Sequence, residues 1–401
     1  MGGAGRTGLV VGLASYLDAG ALVTSGLAVG GIYADTLPLG DGAVGALLGT
    51  QTLAFAGGAV VGGRLADRIG RRRVLLVSLV LYALGVALLA GAQGTATLAV
   101  GLLLSGLGIG ADLPSSLALA SESAPPGRKA RQVALTQVFW GVGIGATGLL
   151  ALLLSPWGEA AARLLYLHLL LVALVTLGLR LSVRETVEWT AARAARPVVP
   201  VVPVRDRLGP LRGPAATAAL ATGLYYTLWT LGANTLGQFK PYLWVQVLGG
   251  SAGGASALLL LALPLGLTGS LVFAAVADSG RRTRWVAVGS LTVAAGWALL
   301  LVVPGRATFV LLVAVSALGA TLAGESLYKV ATQELVPTLQ RATVQGLTMA
   351  VARVLAAGFA VVTPALARAD LSLLVGIVLV TQLLAAGIAL AWLPRLRQRA
   401  A

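Results

Sequence analysis

The chain reads as an all-α membrane protein, with twelve transmembrane helices in two pseudo-symmetric six-helix halves. Three observations lead there. Hydrophobic residues fill 57% of its 401 positions and charged residues only 11%, against about 25% charged in soluble domains. Apolar runs long enough to cross a bilayer, where roughly 20 residues are needed, recur from end to end. Short polar features at the ends of these runs return at corresponding places in the second half, as expected of duplicated halves.

The first span is placed at 7–34, after about six residues with no sign of a cleaved leader, so it is expected to stay in the protein. The second, at 43–63, runs into Gly63-Arg64-Leu65-Ala66-Asp67-Arg68-Ile69-Gly70-Arg71-Arg72-Arg73. Five arginines between two apolar runs have no purpose in a soluble core. In a membrane protein they hold a short loop in the cytoplasm, and Asp67 can pair with arginine near a helix N-terminus. Spans follow at 74–94, 98–120, 132–155 and 162–182. The segment 183–212 is the one long connection. An amphipathic helix from Glu185 to Arg193 fits its start, and Pro197, Pro200 and Pro203 with valines between favour an extended chain. The domains are therefore 1–182, a basic proline-rich cytoplasmic linker at 183–212, and 213–401. The second half carries spans at 213–236, 252–277, 285–303, 308–332, 344–366 and 371–393.

Lysine and arginine set the orientation. With both termini cytoplasmic, inside loops hold 23 of the 29 basic residues, and outside loops hold Arg163, Lys240, Arg306 and Arg368. That bias fixes the topology in the cytoplasmic (inner) membrane. It also accounts for the net charge of +15 without a nucleic-acid partner. The absence of cysteine excludes disulfides and thiolate chemistry. With one histidine and no metal-ligand spacing, neither a catalytic cluster, a metal site nor a cofactor is expected. The internal halves argue against a channel built as a symmetric assembly, and a monomer is expected.

Two echoes support the duplication. Ser121-Glu122-Ser123-Ala124-Pro125 after the fourth span returns as Gln333-Glu334-Leu335-Val336-Pro337 after the tenth. The first hairpin returns as Asp278-Ser279-Gly280-Arg281-Arg282, one residue shorter between acid and glycine.

The pattern from Gly63 to Arg73 resembles the loop 2–3 signature of the major facilitator superfamily of transporters. Gly108-Ile109-Gly110-Ala111-Asp112-Leu113-Pro114 and Gln137-Val138-Phe139-Trp140-Gly141-Val142-Gly143 look like the branch of niacin-type and synaptic-vesicle-protein-like carriers. Glu334, Pro337, Thr338 and Arg341, with Arg353 beyond, are similar to a pattern shared by that branch and the sugar porters. Leu102 and Leu228-Trp229 stand where sugar porters usually carry an arginine and a glutamine pair, which puts a hexose site in doubt. The glycine run of span 5 lacks the proline of the antiporter signature, which weighs against drug efflux. The resemblance implies the major facilitator fold and a carrier that alternates access between two halves.

Charged side chains inside the membrane cost about 2.5–3.5 kcal/mol each on insertion scales, so each needs a role. Asp18, in mid-span 1, is the leading proton-coupling residue, because a poorly solvated carboxylate can load and release a proton as access alternates; the alternative is a carboxylate locked by neighbouring helices. Asp112, beside Pro114, either binds substrate or proton or caps the disturbed turn. Glu325 and Lys329, four apart on one helix face, form either a self-neutralising pair or a proton site tuning a lysine for an anionic substrate. Arg353 is either a carboxylate anchor or an inter-helix tie. Gln137, Trp140, Asn234, Gln238, Tyr242 and Tyr328 are the neutral candidates for the cavity lining. Tyr225, Tyr226 and Trp229 read as packing, and His168 as a histidine in a satisfied niche. Asp67, Arg68, Gly70, Arg71, Arg72, Glu122, Arg128, Asp278, Arg281, Arg282, Glu334 and Arg341 form a cytoplasmic gate, acid–arginine networks that break on turnover. The pairs Gly26/Gly30, Gly45/Gly49, Gly58/Gly62 and Gly141/Gly145 read as close helix packing.

The sequence thus predicts a non-enzymatic secondary transporter whose partners are protons, a small-molecule substrate and the lipid bilayer. Proton-coupled uptake of a small organic or aromatic acid, nicotinate-like, comes first. A sugar or polyol comes second, drug or metabolite efflux third, and a non-transporting membrane receptor is the reading from another class.

Overall fold

The computed structural model describes residues 3–33, 37, 41–195 and 214–400, and every regular element among them is helical. In chain order these are α1 (Gly3–Leu27), extended by a π-turn at Ala28–Ile32, α2 (Asp41–Ile69), α3 (Arg71–Ala90), α4 (Thr95–Glu122), α5 (Lys129–Leu154), α6 (Glu159–Leu181) and the short α7 (Val187–Ala194). The second series is α8 (Pro214–Tyr242) with a π-turn at Leu243–Val247, α9 (Ala252–Val276), α10 (Arg282–Val302), α11 (Arg306–Leu322), α12 (Glu325–Leu335), α13 (Arg341–Ala369), α14 (Leu371–Gly387) with a π-turn at Ile388–Trp392, and α15 (Leu393–Ala400). Residues 196–212, most of the expected linker, lie outside the described residues.

Two compact units emerge. Among the described residues the first holds those up to Gln132, then Thr136 through α7, together with Pro337–Ala350; the second holds Val133–Leu135, α8 through Val336, and Val351 onward. The opening turns of α13 thus group with the first unit, an exchange the repeat reading did not anticipate.

Among the described residues, eleven helical stretches are long and apolar enough to span a membrane, with α11 and α12 taken as one. The segment expected at 213–236 is helical as α8 but is not among the eleven. Its tyrosines, threonines, Asn234, Gln238 and Lys240 dilute the apolar run. The expected span 308–332 is also not continuous: it breaks at Ala323-Gly324 between α11 and α12. Large apolar side chains lie exposed around both units, with Leu152 at 69%, Leu260 at 74% and Val361 at 80%. Water would penalise such a surface and lipid tails would not.

Helix α4 is the spine of the first unit, and glycine lets its neighbours approach. A Cβ at Gly58 of α2 would lie 2.3 Å from the carbonyl oxygen of Leu107, and one at Gly110 of α4 would lie 2.2 Å from that of Phe55. Gly85 of α3 meets the backbone of Ser105 at 2.4 Å in the same sense. This is small-residue packing of membrane helices, found at Gly58 and Gly62 as expected. It does not extend to Gly26, Gly45 or Gly49, where an added Cβ would meet nothing within 4 Å. In the second unit, Gly289 of α10 and Gly319 of α11 bring their helices together, each facing the other's carbonyl. Trp297, Phe309, Leu312 and Leu374 fill the core beside them.

Candidate functional site

In the first unit, α1 and α5 bring two predicted site residues into contact. Asp18 is 7% exposed, and its Oδ2 accepts a hydrogen bond of 3.0 Å from Trp140 Nε1. The helices are close here because Gly143 has no side chain: a Cβ there would lie 2.7 Å from the Tyr16 carbonyl oxygen. Gln137 lies one turn before Trp140 on α5, on the same face, and is buried. Near this pair, Tyr16 Oη and His168 Nε2 share a hydrogen bond of 2.7 Å, while His168 Nδ1 is buried without a partner among the described residues, so the niche expected of the single histidine is only half satisfied.

Asp112 takes a different place. It is 1% exposed and lies against the Arg180 guanidinium, which donates from Nη2 to Oδ2 at 2.8 Å and from Nη1 to Oδ1. Ser78 Oγ at 2.8 Å and Ser116 Oγ at 3.0 Å complete its shell. Its charge is met by a fixed cation and two hydroxyls, which ties α3, α4 and α6 together. Arg180, one of the 23 basic residues counted as cytoplasmic although it falls within the span placed at 162–182, is 1% exposed inside the last turn of α6. Both side chains persist in the interior because each neutralises the other's charge, although Arg180 Nε has no hydrogen-bond partner among the described residues.

In the second unit, the break at Ala323-Gly324 shapes the surroundings of Glu325 and Lys329. Gly324 is required there, since a Cβ would sit 2.0 Å from the Ala320 carbonyl oxygen and 2.5 Å from the Trp229 ring. The break frees carbonyls, and Tyr225 Oη donates to that of Ala323 at 2.5 Å, as interior backbone demands. Glu325 opens α12, where the helix dipole favours a carboxylate, and its Oε1 lies 3.2 Å from Lys329 Nζ. Tyr226 donates to Glu325 at 3.5 Å and stacks on Tyr328 with ring centroids 3.9 Å apart. The tyrosine read from sequence as packing thus touches the acid. Of the other candidates, Asn234 is half-buried and Gln238 exposed on α8, and Arg353 is half-buried on α13. Tyr242 at the end of α8 donates to the Pro364 carbonyl at 3.3 Å.

The basic hairpin forms a dense network within the first unit. Gly70, between α2 and α3, adopts φ +105°, a backbone conformation that calls for glycine, and the Glu185 carboxylate lies close over it. Arg71 donates to Asp67 and Glu122, each at 2.8 Å, and to the Thr338 carbonyl at 2.6 Å. Asp67 also accepts the backbone N–H of Thr343 at 2.7 Å, at the N-terminus of α13. Glu185 accepts the N–H groups of Arg71 at 3.0 Å and Arg72 at 3.2 Å, filling the open donors at the start of α3. Arg68 and Arg128 are exposed, so the buried part of the network rests on Arg71.

Sequence reasoning did not assign Glu185 and Glu188 to this network, although the amphipathic helix it placed over 185–193 was the available signal. That helix appears as α7, capped by Thr186. Trp189 of α7 donates to the Asp67 carbonyl at 3.1 Å, and Glu188 pairs with Lys129 at 2.8 Å and Arg341 at 2.5 Å. Burial alone would raise the Glu188 pKa, but the hydrogen bond from Lys129 and the Arg341 guanidinium together hold it below the usual carboxylate range.

The second unit carries the counterpart. Arg71 reaches the carbonyl five residues back, of Ala66, and Arg282 reaches that of Ala277, also five back. Arg282 clamps Glu334 through bonds of 2.8 and 2.7 Å, and Arg397 of α15 approaches the same carboxylate at 3.7 Å. The equivalence runs through acid and arginine rather than glycine: Arg281, at φ −85°, stands where the first hairpin has Gly70. Asp278 and Arg281 are exposed.

Two helical units that repeat one acid–arginine clamp, carry ionisable side chains inside apolar helices and expose apolar flanks define a polytopic membrane carrier rather than an enzyme. The model of the Major Facilitator Superfamily matches residues 8–361, and the chain belongs to that superfamily. It is 32% identical over 353 residues to the minor myo-inositol transporter IolF of Bacillus subtilis, covering 85% of this chain and 80% of that protein. It is 31% identical over 266 residues to a 3-(3-hydroxy-phenyl)propionate transporter of Escherichia coli, covering 65% of this chain and 62% of that one. Among solved structures, the proton:xylose symporter XylE superposes with a TM-score of 0.76 over 98% of this chain and 94% of its own, at 16% identity. That likeness establishes the fold.

Proposed function

We propose that this transporter takes up a small organic solute together with protons, by alternating access of its two halves, from a site in the cytoplasmic membrane with both termini inside. The observation that carries the coupling is the contact between Asp18 and Trp140. A buried carboxylate bonded to a ring suited to line a substrate cavity gives protonation and substrate binding a shared residue. Gain or loss of the Asp18 proton changes what Trp140 Nε1 donates to, so each event biases the other, as linkage requires. The clamps around Arg71 and Arg282 serve as the cytoplasmic latch, and Arg341, Thr338 and Thr343 are the groups it releases on turnover.

A cyclic polyol is the substrate class supported by the Glu325–Lys329 pairing and by the myo-inositol relative. Lys329, the sequence's cation for an acid substrate, is held by Glu325, which leaves a neutral, tyrosine-flanked pair suited to hydroxyl groups. An aromatic acid is the second reading, supported by the hydroxyphenylpropionate relative. Reconstitution in liposomes with an imposed pH gradient, using labelled myo-inositol and 3-hydroxyphenylpropionate, separates them. Asp18→Asn should abolish gradient-driven accumulation while leaving exchange of the same solute intact. Accumulation that survives the substitution would remove Asp18 from the coupling.

A further inference from the structure

Lys240 was counted among the outer-loop charges, but it belongs to the last turn of α8 and is only 9% exposed. Among the described residues it has neither a hydrogen-bond nor an ion-pair partner. It lines a partly open cavity of about 150 Å³ whose lining lies wholly within the second unit, together with Trp229, Leu236, Trp297, Val313 and Ser316. Ser316 is 6% exposed, and its Oγ also has no partner. The cavity's remaining polar lining is Gln382, whose Nε2 already donates to the Trp229 carbonyl at 3.2 Å. No acidic side chain lines it. At the same end of α8, the Arg368 guanidinium lies 5.5 Å from the Tyr242 ring, adding positive potential.

A largely buried lysine without a counter-charge is costly, and an unpaired buried hydroxyl adds to the cost at the same cavity. Lys329, more deeply buried at 1%, has Glu325; Lys240 faces the cavity. A cavity of this size accommodates a single six-membered ring, since an engineered apolar cavity of about 150 Å³ takes up benzene. Its walls are two indoles and aliphatic side chains, with one cation, one hydroxyl and the Gln382 amide as polar groups. An inorganic anion would leave the apolar walls unfilled, and a polyol would bring more hydroxyls than the walls could satisfy. We infer that this cavity is an accessory binding site for a small single-ring carboxylate. Its carboxylate would pair with Lys240 and Ser316, and its ring would lie between Trp229 and Trp297.

This site is independent of the coupling and substrate readings, because binding is measured without a gradient. Isothermal titration of the purified protein in detergent with benzoate should show one saturable site. Lys240→Met and the cavity-filling Ala317→Phe should each weaken it at least about tenfold, and Lys240→Arg should retain most of it, as expected for a charge-assisted pair. Benzamide, the neutral isostere, should bind at least about tenfold more weakly than benzoate on the same ground. Monodisperse elution identifies folded variants, and if Lys240→Met fails to fold, Ala317→Phe and benzamide decide. Undiminished benzoate binding in a folded Lys240→Met or Ala317→Phe variant would overturn the assignment. So would equal affinity for benzamide, displacement by equimolar chloride, or loss of the site in Lys329→Met alone. Absence of any saturable heat would overturn it as well.

Discussion

Arg71 donates from a fully buried side chain to the carbonyls of Ala66 and Thr338 and to the carboxylates of Asp67 and Glu122. Removing it would leave two buried acids without their cation, a change that in buried pairs costs about 3–5 kcal/mol. Arg71→Met should therefore lower the thermal midpoint of the detergent-solubilised protein sharply, and Arg71→Met with Glu122→Gln should recover part of the loss. A double variant no more stable than the single one would show that the pair does not carry the effect. Glu188 supports a prediction in pH. Its pKa in the folded protein is depressed, so its pairing stabilises fully above the ordinary carboxylate range and is lost as pH falls through the depressed value. Backbone amides of α7 should exchange with deuterium faster, after correction for intrinsic rates, as pH drops below that range, and Glu188→Gln should exchange fast at every pH.

At the scale of elements, the seam between α2 and α13 is a close backbone contact. A Cβ at Gly346 would lie 2.0 Å from the Ala59 carbonyl oxygen, and one at Gly63 would lie 2.2 Å from that of Ala342. Both obstacles are backbone, so no rotamer change relieves them. Gly346→Ala should loosen the first turns of α13 from α2. A single cysteine at Thr343 should then react with maleimide faster than in the glycine parent, in a chain with no native cysteine. An unchanged rate would show that the seam tolerates a methyl group. The break between α11 and α12 belongs to this scale too. A largely apolar run with glycines at Gly319 and Gly324 does not announce where it breaks. It is held open by the Trp229 ring against Gly324 and by Tyr225 on the freed carbonyl, both from a distant helix.

For the whole molecule, the charge bias makes a prediction about sidedness. Cysteines substituted singly at Arg128 and Arg163 should differ in intact cells. The Arg163 position should react with a membrane-impermeant maleimide, and the Arg128 position only after permeabilisation. The opposite pattern would invert the proposed topology and move the clamps to the outer face.

The all-helical membrane architecture, the duplication, the basic hairpin and the contact-prone acids were legible in the chain itself. Apolar run length and loop charge act locally, and bilayer thickness and arginine placement are one-dimensional quantities. Partnership was not legible, because it depends on which helices meet. Asp18 finds Trp140 across 122 positions and Asp112 finds Arg180 across 68. Arg180 and Lys240 read alike in sequence, as basic residues near the ends of apolar runs. Only the tertiary structure distinguishes them, giving Arg180 a buried carboxylate that neutralises it and leaving Lys240 beside a cavity, because a buried charge is defined by its neighbours in space.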